Sequence, residues 1–201
     1  MNRVLALGAV LLMGGLAAAP IGEAGPLTDQ FKGDLERVLS VIEETGKSGA
    51  DPAQRREAIR AAAEPAFDWR EMSSRSMGMH WQARSEPERA EFVGLFRDLI
   101  QRSYITHVER YSGEPIRFTG EKVEGNLGVV NTRIVTRQGQ EIPIDYRLLN
   151  REGRWRVYEV LVEGVSLISN FRTQFDKVIR TAGYGELIKR LRERSVVAPQ
   201  T

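Results

Sequence analysis

The chain contains no cysteine. That excludes disulfides, thiol catalysis and cysteine-ligated metal centres, so the fold has to be held by its own apolar core. Histidine is scarce. His80 and His107 are the only two, and neither has a histidine or carboxylate at a metal-ligand spacing such as H-E-x-x-H. Both read as structural side chains. There is no G-x-S-x-G elbow and no phosphate-cradling glycine loop; Gly183-Tyr184-Gly185 is too short for one and reads as a helix break. An excess of one charge is also lacking. Lys and Arg total 29 against 27 Asp and Glu, a net of +2 with no block of like charges, which excludes a nucleic-acid-binding stripe. Finally, no long hydrophobic run occurs. Residues 4–19 are apolar for 16 positions, broken by Gly8, Gly14 and Gly15, and a membrane-spanning helix needs about 20.

That short run has another reading. Arg3 precedes it and Gly22-Glu23-Ala24 follows as a small-x-small cleavage site. Residues 1–24 are therefore expected to be a secretory signal peptide, with a mature chain starting near Gly25. No cysteine follows, so a lipoprotein anchor is excluded. Removal takes one arginine and one glutamate and leaves the net charge unchanged. With 41% hydrophobic residues, the remainder reads as one globular domain over 25–195 and a flexible tail over 196–201.

The order of elements follows from periodicity. Leu27, Phe31, Leu35, Val38, Leu39 and Ile42 recur at helical spacing over residues 27–44. Asp51-Pro52 opens a second helix, running to about 64, and a short helical segment spans 67–78. Ser85 and Glu88 form a capping box that starts a long helix to about 111, with Phe92, Leu95, Phe96, Leu99, Ser103 and His107 marking its buried side. The period then falls to two. Ile116 and Phe118, the run 128–136, the run 142–148 and the run 155–162 predict four strands joined by glycine-containing turns, an antiparallel meander. Pro143 strains that reading, since a central strand cannot spare a donor without a bulge. After Gly164 the helical period returns through Leu167, Ile168, Phe171, Phe175 and Val178, with a stop at Gly183 and a short final helix from Glu186. The segregated order predicts an α+β fold, with helices packed on one face of a curved four-stranded antiparallel sheet.

The positive chemical signal is apolar. Val130 and Ile134, then Ile142, Ile144, Tyr146 and Leu148, then Tyr158, Val160 and Val162 give inward rows on three strands. Facing them are Phe92 and Phe96 of the long helix, and Val165, Leu167, Phe171 and Phe175 beyond the sheet. Periodicity does not separate a filled core from a hollow one. Asp145 and Tyr146 offer the pieces of a small cavity enzyme, but strand neighbours point to opposite faces, which argues against any enzyme. Gly164 and Gly183 flank the helix carrying Phe171 and are candidate hinges. Residues 164–201 hold a net of +4, a candidate docking surface.

One stretch goes further. Residues 142–191 read IPIDYRLLNREGRWRVYEVLVEGVSLISNFRTQFDKVIRTAGYGELIKRL. Trp155-x-Val157-Tyr158-acid-Val160, Glu163-Gly164-Val165-Ser166-Leu167, Asn170-aromatic-Arg172, Gln174-Phe175 and Gly183 to Ile188 closely resemble the MlaC family, also called the toluene-tolerance auxiliary family. Upstream, Phe67-Asp68, Met77-Gly78, Trp81, Tyr104 and Tyr111-Ser112-Gly113 fit the same pattern, so the resemblance covers essentially the whole mature chain. It departs at Glu159, where the family usually has Asp, and at Phe171, where Tyr is common. The resemblance implies a fold related to the NTF2-like cone and a monomeric periplasmic carrier, with a phospholipid as cargo and no cofactor. Its implied partners are that phospholipid, an inner-membrane MCE-domain protein of an ABC transporter, and an outer-membrane lipoprotein complex. The implied role is to shuttle lipid between them and maintain outer-membrane asymmetry, with the fifteen apolar side chains above as lining. The alternatives are a sister branch of hopanoid-associated carriers, which lacks the Gly-Val-Ser-Leu…Asn-aromatic-Arg run kept at 164–172, and a small NTF2-like cavity enzyme.

Overall fold

A computed structural model describes residues 25–196. The expected leader, 1–24, and residues 197–201 of the expected tail lie outside them. Helix α1 (Pro26–Lys47) is followed by α2 (Pro52–Ala63), a 3-10 turn (Glu64–Ala66), α3 (Trp69–Met77), a second 3-10 turn (Gly78–His80) and α4 (Glu86–Glu109). Strands β1 (Ile116–Glu124), β2 (Leu127–Val135), β3 (Glu141–Arg151), β4 (Arg154–Val162) and β5 (Val165–Ser166) come next, then α5 (Leu167–Arg192). No helix among the described residues is long and apolar enough to cross a membrane.

The helix starts follow the local chemistry. Asp51 accepts from the amides of Ala53 and Gln54. Ser85 and Glu88 make the reciprocal capping bonds expected of them. Gly183 (φ 84°, ψ 166°) interrupts the helical backbone of α5, so the segment from Glu186 is set off from the first part as expected.

The sheet is antiparallel and open, in the order β1-β2-β3-β4-β5. It has five strands, not four. The fifth is two residues long and pairs Ser166 with Leu161 and Val165 with Val162. So short a strand has no alternation to betray it. Glu163 (φ 51°) and Gly164 (φ 80°) make the tight turn before it, the left-handed backbone that a two-residue hairpin loop demands. Pro143 sits in a central strand without a bulge. Its carbonyl accepts from the amide of Glu163, just past the end of β4, so the donor it lacks would face a strand that has already stopped.

Two apolar clusters meet β4. Phe31 and Leu27 of α1 pack across one sheet face onto Val130, Leu148 and Val157. By contrast α3, α4 and α5 gather at the outer edge of β4, where Phe67 bridges Val157 and β5 pairs. Their cluster contains Phe92, Phe96, Phe171 and Phe175, together with Leu149 and Tyr158. The helices therefore do not form a single layer on one face. A third cluster joins Ile42, Ile59 and Ile105 of α1, α2 and α4. Serving two clusters turns the buried side of α4 as it proceeds: Ile100 and Ile105 are buried, Ser103 is half-buried and His107 is exposed, against the single stripe expected through Ser103 and His107.

Candidate functional site

Strand register sorts the sheet's side chains into rows on the face that α1 approaches. Ile116, Ile134 and Ile142 lie opposite one another in the first row. Phe118, Thr132, Ile144 and Val162 form the second. Val130, Tyr146 and Val160 make the third, and Gly128, Leu148 and Val157 the fourth. Burial falls steeply across them. Leu148 and Val157 are each 1% exposed, sealed under Leu27 and Phe31. Ile116, Phe118, Ile134, Ile142, Ile144 and Val162 are all only half-buried.

The cover stops because α1 is fixed over the lower rows. The Glu121 carboxylate on β1 accepts from the amide of Thr28 at 2.7 Å, at the helix N-terminus. Gln30 donates to the carbonyl of Trp155 at 2.8 Å and accepts from its amide at 3.0 Å. Asp34, 4% exposed, accepts from Arg154 and Arg37. Beyond this clamp the first two rows are largely aliphatic and carry no titratable group, and the Phe31 ring of α1 reaches them only at Phe118, 6.3 Å between centroids. Thr132 is their one polar side chain, and its hydroxyl is used internally, donating to the Ile144 carbonyl at 2.9 Å. Such a surface suits hydrocarbon. At its border, burial pushes the Tyr146 phenol up to about 12, partly offset by Thr132.

The expected lining residues divide among these settings. Val130, Ile134, Ile142, Ile144, Tyr146, Leu148, Val160 and Val162 share the face just described. Phe92, Phe96, Phe171 and Phe175 pack on one another, with ring centroids 5.3–5.8 Å apart, as the centre of the helical body; Leu167 joins the same cluster. Val165 is 45% exposed. Tyr158 leaves the row proposed for it. A bulge in which Arg147 pairs with Glu159 and Leu148 with Val157 skips Tyr158; its ring instead lies under the Arg75 guanidinium, 4.0 Å from the centroid. Val157 takes its place. Ile116 and Phe118, which alternate around Arg117, share these rows although they are not among the expected lining residues.

The other candidates resolve into structural roles. Asp145 pairs opposite Asn131 and accepts from its side-chain Nδ2 at 2.7 Å, while Tyr146 pairs opposite Val130, so the two side chains leave the sheet on different faces. His80 meets Asp176 at 2.8 Å; this bond, with Arg180, holds the Asp176 carboxyl below its ordinary range. No cluster of three metal-binding side chains occurs among the described residues. On the basic C-terminal surface Arg180, Arg190 and Arg192 pair with Asp176, Glu186 and Glu91. A groove of about 410 Å³ beside Asn131, Arg133 and Asp145 and one of about 590 Å³ beside Leu39, Lys47 and Tyr111 are open surface features, not an enclosed apolar chamber.

The residues that carried the family resemblance hold elements together. Glu159, 7% exposed, accepts from the amide of Ile168, the hydroxyl of Ser166 and its neighbour's amide, with no basic partner among the described residues. It thus anchors the start of α5 to β4. Asp68 caps α3 through the amide of Glu71 and pairs with Arg151 at 2.9 Å. Arg172 donates to the carbonyl of Arg75, tying α5 to α3.

Comparison with known proteins agrees with this architecture. The family model described as MlaC protein matches residues 34–193. The chain is 25% identical over 170 residues to the intermembrane phospholipid transport system binding protein MlaC of Haemophilus influenzae, covering 82% of this chain and 77% of that one. It is 25% identical over 121 residues to toluene tolerance protein ttg2D of Pseudomonas putida, covering 59% and 56%. The solved phospholipid-binding protein of Ralstonia solanacearum, in complex with a phospholipid, superposes with a TM-score of 0.74 at 20% identity, covering 83% of this chain and 94% of that one.

Proposed function

Because this chain belongs to the MlaC family, we propose that it is a periplasmic phospholipid carrier whose acyl chains rest on the half-open rows of the sheet. The observation that carries this reading is the set of apolar side chains at Ile116, Ile134, Ile142, Ile144 and Val162, only half-buried beyond a clamped α1, with Phe118 at the edge of its cover. In this reading residues 1–24 are an export signal, 25–195 the carrier domain and 196–201 a tail. The chain works as a monomer without a cofactor and hands lipid between an MCE-domain protein of an inner-membrane ABC transporter and an outer-membrane lipoprotein complex. Outer-membrane asymmetry is the outcome, and kinship to the NTF2-like cone belongs to the same proposal.

Energetics fit a handover in contact rather than release. A two-chain lipid buries roughly 28 methylenes at about 0.8 kcal/mol each, on the order of 20 kcal/mol against water. Against a bilayer that term nearly cancels, so the carrier need not outbid the membrane by much. Exposing aliphatic rows to water costs about 25 cal/mol per Å², so covering them with a lipid or an apolar partner surface is favourable. Native mass spectrometry of the chain purified from a Gram-negative periplasm tests the reading. Adducts in the phospholipid mass range are expected; an adduct-free chain, or one carrying a small polar metabolite, contradicts it.

A further inference from the structure

Helix α1 begins without a cap of its own. Gly25 is its N-cap residue and has no side chain to offer, and Pro26 at the first helical position has no amide to satisfy. The cap comes from another element. Oε2 of Glu121 on β1 accepts from the amide of Thr28 at 2.7 Å. Thr28 is the third helical position, so this is the bond an N-cap serine or aspartate ordinarily makes. Oε1, the other oxygen, turns to Gly25: a Cβ built there would fall on it. The carboxylate thus fills the space of an ordinary capping side chain, and any larger residue at 25 would displace it.

Glu121 is half-buried. Among the described residues no lysine or arginine pairs with it; Lys122 pairs with Glu124 instead. The sequence supplies a cation at this very point. Gly22-Glu23-Ala24 is the expected cleavage site, and cutting after Ala24 leaves an α-amino group on Gly25. With an ordinary pKa of about 7.7–8.0, that group is mostly charged at neutral pH. Its nitrogen is bonded to the same Cα as the missing Cβ, which places it within a few ångströms of Oε1. Alone, a positive charge there would oppose the positive end of the α1 dipole; a carboxylate beside it offsets that cost.

We propose that leader removal completes the clamp on α1: the ammonium released at Gly25 pairs with Glu121, a contact the unprocessed chain does not have. A leader peptidase and water supply the covalent step. The Ala24–Gly25 bond breaks, the oxygen of water stays on the Ala24 carboxylate, and the Gly25 nitrogen takes up the protons. Because α1 seals the lower rows of the sheet, its cover is held most firmly only after export. This rests on the export reading above and adds what the new terminus does.

The test compares two chains recovered from a Gram-negative periplasm. One keeps the natural junction; the other carries two serines between Ala24 and Gly25, which move the ammonium away from Glu121. Intact mass should place the first residue of the natural chain at Gly25, and that chain should melt about 2–4 °C above the extended one. In Glu121→Gln, which keeps an oxygen for Thr28 and loses the charge, the difference should shrink below about 1 °C. Equal melting of the two wild-type chains overturns the inference, whatever the variant does. A full difference persisting in Glu121→Gln overturns it too, because the ammonium would then act elsewhere. A natural chain that starts at another residue overturns it while leaving export in place. A chain that keeps its leader overturns the export reading and the inference together.

Discussion

Replacing Ile144 by aspartate should strip phospholipid from the chain and leave it folded. Ile144 lies in the second row, between Thr132 and Val162, and is only half-buried. The fold therefore loses little packing there, and a carboxylate keeps access to water in the lipid-free chain. With acyl chains laid over it that access is gone, and a desolvated carboxylate costs several kcal/mol. At about 1.4 kcal/mol per decade, affinity should fall a hundredfold or more. Arg147→Glu is the control, an exposed position on the same strand whose side chain leaves the other face; its lipid content should be normal. Phosphorus per chain after purification, read beside circular dichroism, decides the matter. Full lipid content in Ile144→Asp would show that the rows are not the acyl site.

Glu159→Ala should be the most destabilising single change outside the apolar clusters. It strips the acceptor from the amides of Ile168 and Val160 and from the Ser166 hydroxyl in one step, at the N-terminus of a helix that carries Phe171 and Phe175 into the core. Orphaned buried donors cost about 1–3 kcal/mol each, with part of that recovered by water. A loss of about 2–4 kcal/mol follows, or roughly 5–15 °C in a domain of this size. Glu159→Asp keeps the charge on a shorter arm and should lose less than half as much. Thermal melts of the two variants check this; a drop under about 2 °C in Glu159→Ala would remove Glu159 from its anchoring role.

Local chemistry made the elements readable before their arrangement was. The Ser85–Glu88 capping box and the Asp51 cap announce helix starts within one turn of chain, and both bonds form. The four long strands alternate over enough residues to be seen. A two-residue β5 does not, and neither does the bulge at Tyr158, because a bulge depends on how β3 and β4 align and not on either strand's own pattern. The stripe of α1 through Leu27 and Phe31 was legible as a face, while its partner was not: periodicity says that a side is buried and not against what. The same limit explains the four phenylalanines, whose spacing is equally consistent with lining a cavity and with packing on each other. The motif residues stood out for a different reason. Glu159, Asp68 and Arg172 each join two elements through specific polar bonds, whereas Ile134, Ile142 and Ile144 need only be apolar, and so carry no signature.

Absence of native cysteine makes the central claim directly measurable, because single cysteines introduced along β3 report on one position at a time. Maleimide labelling of Ile142→Cys, Ile144→Cys, Asp145→Cys and Arg147→Cys, with and without bound phospholipid, should show protection in step with the strand's period. Lipid should slow labelling at 142 and 144 at least tenfold and leave 145 and 147 unchanged. Equal protection at all four positions, or none at 142 and 144, would contradict a hydrocarbon site on that face of the sheet.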